Sequence, residues 1–347
     1  MRKSLFVSIV FVLLISLVVA GCSSGTTENQ SPNSEDTEEK PIENVEQPEP
    51  KLKVGLLLSG PISDMGYNAS AYEGLMEAQK KFDIEVNYHE NVAQSDMESI
   101  LRNYAVNGYG LIFGHGYQFT DAIVKVAAEF PDIKFVINSG RDAFPPNVAS
   151  SATSSSQQGF LMGATAALIT ESKIVGAIGG QEIPSIKETI EGMKQGVAYV
   201  DPDVKILTTF TGSFDDVAKA KETALAMIDQ GADVIMASAN QAGLGTIEAC
   251  VEKGVLAIGC NEDQNPIAPD TVVTSGIKSV KDSVVFMVEK VLNNEFEPIV
   301  YKLGVKEGVV YLAPWHGFEE KIPQEIKDEI AQITQDLADG KIEVKIN

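Results

Sequence analysis

The chain of 347 residues carries 27 basic and 49 acidic side chains, which gives a formal net charge of −22. A surface this acidic repels phosphate backbones, so we exclude nucleic acid as a partner. With three cysteines, the composition also excludes a disulfide framework or a cysteine-rich metal cluster, and we expect Cys250 and Cys260 to be small core residues.

The N-terminus has the pattern of a secretion signal. A short basic start precedes an apolar run from Leu5 to Ala20, and small residues stand just before Cys22. The run is shorter than the roughly 20 apolar residues that a membrane-spanning helix usually needs. The small residues resemble the lipobox of bacterial lipoproteins, which implies that residues 1–21 are a signal peptide and that Cys22 carries a lipid. The alternative is an ordinary signal peptide with an uninvolved cysteine.

Residues 22–51 form a second segment with a different composition. Between Ser23 and Pro50, eight acidic residues stand against one lysine, and almost nothing is apolar. Such a segment buries too little apolar surface to offset its ordering entropy. We therefore predict a lipidated cysteine followed by a disordered acidic tether, which holds a globular part away from the membrane.

From Lys53 onward, short apolar runs alternate with segments of helical spacing. The first run, Lys53 to Leu58, is nearly continuous, as in a strand covered on both faces, and Asn68 to Phe82 then has helical spacing. Later strand-like runs begin at Glu85, Leu111, Lys134, Ile174, Val204, Val234 and Leu256, with helical patterns around Met97, Asp121, Gln157, Ile186, Val217 and Leu244. This alternation predicts parallel sheets with helices on both faces.

The length of this part, nearly 300 residues, indicates two lobes because a single compact core of that size is rare. Ser150 to Gln158 is a polar run typical of a hinge, and Thr274–Gly276 is a second candidate. We predict an α/β, two-lobed, periplasmic-binding-protein-like clamshell of type I, each lobe a parallel sheet flanked by helices. The predicted boundaries are 52–154 for lobe 1, 155–274 for lobe 2, and 275–347 for segments that return through both lobes.

Polar side chains follow most of the predicted strands. Open parallel sheets bind ligands at the carboxyl ends of their strands, where amides, carboxylates and aromatic rings supply contacts. The candidate ligand-binding residues at these ends are Ser59, Asp64, Tyr67, Asn68, His115, Tyr117, Asn138, Ser139, Phe214, Asn240, Asn261 and Asp263. Singly, Asp64 or Asn240 fits an ordinary turn or cap position equally well. Polar residues of this kind recur at seven strand ends, one of which is Gly179–Glu182, and that recurrence favours a binding cleft.

Four stretches resemble the basic membrane protein (BMP) family of lipoproteins, and they stand in the family's order. Residues 64–74, D-M-G-Y-N-A-S-A-Y-E-G, are similar to the family's D-x-S-F-N-x-x-A-x-x-G. T-G-S-F-D-D at 211–216 and G-A-D-V-I at 231–235 resemble its G-S-F-x-D … G-A-D-V-I. A-I-G-C-N-E-D-Q at 257–264 and V-V-T-S-G-I-K at 272–278 resemble V-I-G-V-D-x-D-Q and V-x-T-S-x-x-K.

The family includes purine nucleoside receptors of ABC importers. The resemblance implies that Tyr67 stacks on a purine, that Asn68 accompanies it, and that Lys278 reaches the ribose hydroxyls. It also implies an ABC permease in the membrane as the partner that receives the ligand.

The sequence departs from the family pattern at several of these positions. Ser59, Asn138 and Asn261 stand where aspartates are common, and Met236-Ala237 supplies no second aromatic residue. The resemblance implies that the family's aspartates at these positions hydrogen-bond to the ribose hydroxyls, and this sequence lacks those carboxylates. A free nucleobase or another small ring is therefore an open alternative to a nucleoside.

An enzyme is the main rival class, and the motifs argue against it. No G-x-S-x-G elbow between a predicted strand and helix, phosphate-binding loop or metal-ligand spacing occurs, and of three histidines His115 alone stands at a candidate site. We predict no catalysis, no cofactor and no metal. The hypothesis is a monomeric substrate-binding lipoprotein of an ABC importer, anchored through Cys22 on the extracytoplasmic face of the cell membrane, that captures a purine nucleoside or nucleobase. The alternative is a protein that presents a sugar or other small molecule to a sensory receptor.

Overall fold

The computed structural model describes residues 51–63 and 67–346. Two predicted functional residues, Cys22 and Asp64, lie outside these ranges, as does the whole predicted tether up to residue 50. The first elements are β1 (Lys53–Leu58), α1 (Tyr67–Lys81), β2 (Glu85–His89), α2 (Met97–Val106), β3 (Leu111–His115), α3 (Thr120–Ala127), β4 (Lys134–Asn138) and β5 (Val148–Thr153). Next come α4 (Ser155–Ile169), β6 (Ile174–Gly179), α5 (Pro184–Val200), β7 (Lys205–Phe210), α6 (Val217–Ile228), β8 (Val234–Ser238), α7 (Gly243–Lys253), β9 (Leu256–Asn261) and β10 (Val272–Lys278). The last are α8 (Val280–Leu292), β11 (Val300–Leu303), β12 (Val310–Leu312) and α9 (Gln324–Ala338). None of these described helices is both long enough and apolar enough to span a bilayer.

The strands form two six-stranded sheets, ordered β11-β5-β4-β3-β1-β2 in lobe 1 and β12-β10-β9-β8-β6-β7 in lobe 2. The pairings are parallel, except that β12 runs antiparallel to β10. Separate apolar clusters cover the two faces of each sheet, which explains why strands such as β1 and β3 are continuous apolar runs. The predicted fold of two parallel sheets flanked by helices is confirmed.

Between residues 148 and 312 the chain passes from one sheet to the other three times. It leaves lobe 1 at Ser154, returns at Ser279 to build α8 and β11, and crosses again at residues 304–309. The crossings are bonded to each other, because Ser154 N donates to Leu303 O (2.7 Å) and Ser279 N donates to Val309 O (2.9 Å). Three adjacent connections of this kind form the joint between the lobes.

The structure corrects the predicted hinge at Thr274–Gly276 and the lobe boundary at residue 274. β10 continues to Lys278, and both Thr274 and Ser275 are fully buried. The small polar side chains of this strand indicated a linker, but Thr274 Oγ1 donates to Ala313 O (2.7 Å), which satisfies it inside the core. The crossing lies at Ser279 instead.

The polar run 150–158 also contains regular structure. Its first four residues complete β5, and α4 begins at Ser155, so Ser154 alone separates strand from helix. The Ser154 hydroxyl caps α4 by accepting from Gln157 N (3.3 Å).

Glycines let α4 and α5 pack with their backbones in contact. A Cβ on Gly159 or Gly163 of α4 would press into the backbone of Thr189 or Met193. A Cβ on Gly192 of α5 would press into the backbone of α4 in the same way. The helix that leads out of the first crossing is therefore fixed firmly to lobe 2.

Candidate functional site

At the carboxyl ends of the lobe 1 strands, three buried polar side chains stand side by side. His115, Asn138 and Ser151 are in register across β3, β4 and β5, and each is at most 3% exposed. Ser151 Oγ donates to Asn138 Oδ1 (2.9 Å), and Asn138 Nδ2 lies 3.2 Å from His115 Nδ1. We call these three residues the polar row.

Tyr67, the first residue of α1, lies against one end of the polar row. Its ring stacks on the His115 ring with centroids 3.7 Å apart, and its hydroxyl donates to Ser139 Oγ (2.9 Å). Its carbonyl oxygen lies 2.8 Å from His115 Nε2. Burial raises the pKa of the Tyr67 phenol, and the Ser139 contact partly opposes that rise. The residue as a whole stays 39% exposed.

Hydrogen bonding orients the His115 ring. A carbonyl oxygen accepts and never donates, so Nε2 carries a hydrogen toward Tyr67 O. Asn138 donates to Nδ1 when its Oδ1 faces Ser151, which is the orientation that these distances fit. His115 is fully buried, and it contacts Tyr67 through both its ring face and Nε2.

The other lobe 1 candidates frame the same edge. Ser59 follows β1, and its hydroxyl accepts from Gln118 Nε2 (2.9 Å). Asn68 is buried, and its Oδ1 accepts from a backbone amide in the loop after β1 (3.4 Å). Tyr117 is 72% exposed, just beyond β3.

In lobe 2, Asn261 ends β9 and Asn240 follows β8. Both have positive φ, 71° and 48°, a conformation that asparagine tolerates better than most residues. Asn261 Oδ1 accepts from Gln158 Nε2 (3.1 Å), which also donates to the Gly276 carbonyl oxygen (2.8 Å). These two residues therefore shape the turns that follow β8 and β9.

Lys278 is the cationic candidate, and it stands where the two lobes join. Its Nζ donates to Ser155 Oγ (3.0 Å), so the carboxyl end of β10 meets the chain that has just left β5. Burial lowers the pKa of Lys278, and Cys260 and Glu188 partly oppose that effect. Among the residues that the structure describes, no carboxylate forms an ion pair with Lys278, although a buried cation needs compensating oxygen atoms.

Two further lobe 2 candidates make contacts inside their own lobe. Asp263 Oδ2 lies 2.6 Å from His316 Nε2, and Asp263 Oδ1 accepts from Asn265 N (3.2 Å). The Phe214 ring packs over Gly180 and leaves no room for a Cβ there. Both residues thus stabilise the loops at the strand ends.

The sequence reasoning missed Ser151, Ser155 and Gln158, because all three lie in the run interpreted as a hinge. The helical pattern around Gln157 predicted α4, and the S-x-x-Q spacing of Ser154 and Gln157 is a helix-start signal that would have placed its beginning at Ser155. Ser155 and Gln158 would then have been expected on one face of that helix.

Two surface cavities lie away from these strand ends. One of about 660 Å³ lies between α2 and β2, lined by Asn87, Asn103 and Tyr109 among others. Another of about 400 Å³ runs along α7, lined by Leu244, Val251 and Ile267 among others. Neither includes a predicted site residue.

Two parallel-sheet lobes joined by three crossings, with polar residues at the strand ends, define the class of two-lobed solute-binding proteins. The family model described as ABC transporter substrate-binding protein, PnrA-like, matches residues 51–345. The chain belongs to this Bmp family, which confirms the resemblance to basic membrane proteins.

Individual relatives agree with this assignment. Basic membrane protein A2 of Borrelia garinii subsp. bavariensis is 30% identical over 305 residues, which cover 85% of this chain and 88% of that protein. A solved solute-binding protein of an ABC transporter system from Conexibacter woesei has a TM-score of 0.69 at 24% identity, covering 85% of this chain and 98% of that one. A transcriptional activator of the comK gene from Bacillus halodurans has a TM-score of 0.72 at 25% identity, covering 82% and 97%.

Proposed function

We propose that this protein captures a purine nucleoside or nucleobase between its lobes and delivers it to an ABC permease. The observation that carries the proposal is the Tyr67 ring, which is held at three points and still partly exposed. A preorganised aromatic ring loses little entropy when a flat ligand stacks on it. Such stacking contributes about 0.5–1.5 kcal/mol beyond area burial.

Lys278 supports a ligand that also carries oxygen atoms. Its amino group has three hydrogens and one described acceptor, Ser155 Oγ. Ribose hydroxyls would accept the remaining hydrogens. Asn138, in contrast, is bonded inward to His115 and Ser151, so it does not replace the ribose-gripping aspartate common at its position in the family. A nucleoside would therefore be held through Lys278, and a nucleobase mainly through Tyr67.

Delivery to a permease requires that the protein stay near the membrane. The small residues before Cys22 and the acidic segment after it support a lipid anchor at Cys22 on the extracytoplasmic face. The acidic tether would keep the two lobes within reach of a membrane partner.

A second candidate function is presentation of a small ligand to a sensory partner. The observation that favours it is the likeness to the comK transcriptional activator, whose fold is the same. The ligand site would be unchanged, and the difference would lie in the protein that receives the loaded form.

Mass spectrometry of small molecules released by denaturing the purified protein tests the ligand directly. We expect a purine nucleoside or base in about equimolar amount. A sugar or an amino acid in its place would contradict the purine proposal.

A further inference from the structure

The polar row places three polar side chains in the largely apolar interior of lobe 1. His115, Asn138 and Ser151 occupy strand positions whose neighbours are Phe113, Ile137 and Ala149, all fully buried. Apolar residues at these three positions would avoid the cost of desolvating polar groups. Stability of the sheet alone therefore does not account for the row.

Each member of the row orients the next. Ser151 fixes the amide of Asn138 by donating to Oδ1, and Asn138 then presents Nδ2 to His115 Nδ1. His115 contacts Tyr67 twice, through its ring face and through Nε2 on the carbonyl oxygen. A histidine can make both contacts at once, because it combines a flat ring with an N–H donor in the ring plane.

The other end of the row lies beside the joint between the lobes. Ser151 is three residues before Ser154, where the chain leaves lobe 1, and Ser154 N is bonded to the third crossing through Leu303 O. A continuous set of hydrogen bonds and one ring stack thus connects Tyr67 to the strand that enters the first crossing.

We propose that Ser151, Asn138 and His115 are positioning residues that set the Tyr67 ring for ligand and tie it to the β5 strand at the hinge. The ligand part of this proposal rests on the proposed function, whereas the positioning of Tyr67 does not. None of the three residues touches the ligand. Their effect on binding passes through Tyr67.

The ligand-free test uses the three histidines of the chain, which makes imidazole nitrogen signals easy to assign. In the wild-type protein we expect the His115 Nε2 hydrogen to be observed and to exchange slowly with solvent. Ser151→Ala should shift the His115 nitrogen and Tyr67 ring signals, because Asn138 loses the partner that orients it. Thr274→Val is the matched control, since it removes one buried strand hydroxyl in lobe 2. Unchanged His115 and Tyr67 signals in Ser151→Ala would overturn the proposal.

A double-mutant cycle with adenosine as the probe tests the consequence for binding. Ser151→Ala should weaken adenosine binding about threefold to tenfold, the loss expected for one buried hydrogen bond. In a Tyr67→Ala background it should have almost no further effect, whereas a structural defect would weaken both backgrounds equally and refute the positioning role. If adenosine fails to bind the wild type, the proposed ligand is wrong, and the imidazole signals still decide the positioning proposal.

Discussion

Lys278 Nζ lies 3.0 Å from Ser155 Oγ. Lys278 directly precedes the second crossing and Ser155 directly follows the first, so this hydrogen bond connects the two crossings. The contact places a partly buried amino group where the two lobes join. The residues that follow β5 and end β10 therefore meet at this point. The charge of Lys278 therefore bears on the stability of the joint between the lobes.

Lys278→Met is expected to stabilise the ligand-free protein at neutral pH. Burial lowers the pKa of Lys278 in the folded state, so keeping it charged costs free energy, about 1.4 kcal/mol for each pH unit of the shift. At pH values between the lowered pKa and the ordinary value of 10.5, the unfolded state binds more protons at Lys278 than the folded state does. The wild-type protein therefore becomes more stable as the pH rises through this range. The advantage of the variant should shrink over that window.

Urea denaturation at a series of pH values measures this difference, with the exposed Lys205→Met as control. A Lys278→Met variant that is less stable than wild type at every pH would show that the buried amino group is fully compensated in the folded protein.

Gly159→Ala should destabilise the protein by about 1–3 kcal/mol, because its new methyl group has to displace the Thr189 backbone on α5. Gly317→Ala is the control, since, apart from its chain neighbours, no atom of the described residues stands within 4 Å of the position its Cβ would take. Thermal unfolding compares the two. Equal melting temperatures would mean that α4 and α5 can separate at little cost.

Ligand is expected to compact the protein by closing the lobes about Ser154, Ser279 and residues 304–309. A ligand that contacts both lobes favours the closed form only as far as it binds that form better. Small-angle scattering should give a smaller radius of gyration with ligand for the wild type and no change for Tyr67→Ala at the same ligand concentration. An identical radius in loaded and empty wild type would rule out hinge closure.

Cys22→Ser should release the protein from membranes or block its processing, because the proposed lipid would be attached to that thiol. Ser23→Ala, one residue further on, is the control and should remain in the membrane fraction. Fractionation followed by immunoblotting distinguishes them. Normal processing and membrane retention of Cys22→Ser would contradict the anchor.

Much of the fold could be predicted because most strands are buried on both faces. β1, β3 and β4 are nearly continuous apolar runs, a pattern that a strand covered on both faces produces and that can be recognised in the sequence alone. β5 could not be found this way, since its V-A-S-S-A-T sequence has the composition of a linker. Its serines are buried because Asp142 O and Asn138 Oδ1 accept from them, and those partners lie elsewhere in the chain.

The strand-end positions of the candidate residues were predictable from the sequence, whereas their contacts were not. Strand-end position identified Tyr67, His115 and Asn138, but not that Asn138 bonds to His115 behind Tyr67. Asp263 has the same sequence context as a ligand-binding carboxylate, and its partner His316 is 53 residues away. Hydrogen bonds over such separations follow from the packing within each lobe and leave no local sequence pattern.

Calorimetric titration with adenosine, adenine and ribose, on the wild type, Tyr67→Ala and Tyr199→Ala, tests the central claim most directly. Tyr199 is also a partly exposed tyrosine, 53% exposed on α5, and serves as the matched control. We predict that a purine binds the wild type and Tyr199→Ala equally and binds Tyr67→Ala about tenfold more weakly, the equivalent of about 1.4 kcal/mol. Absence of heat with either purine, or equal purine affinity in Tyr67→Ala and wild type, would contradict the account.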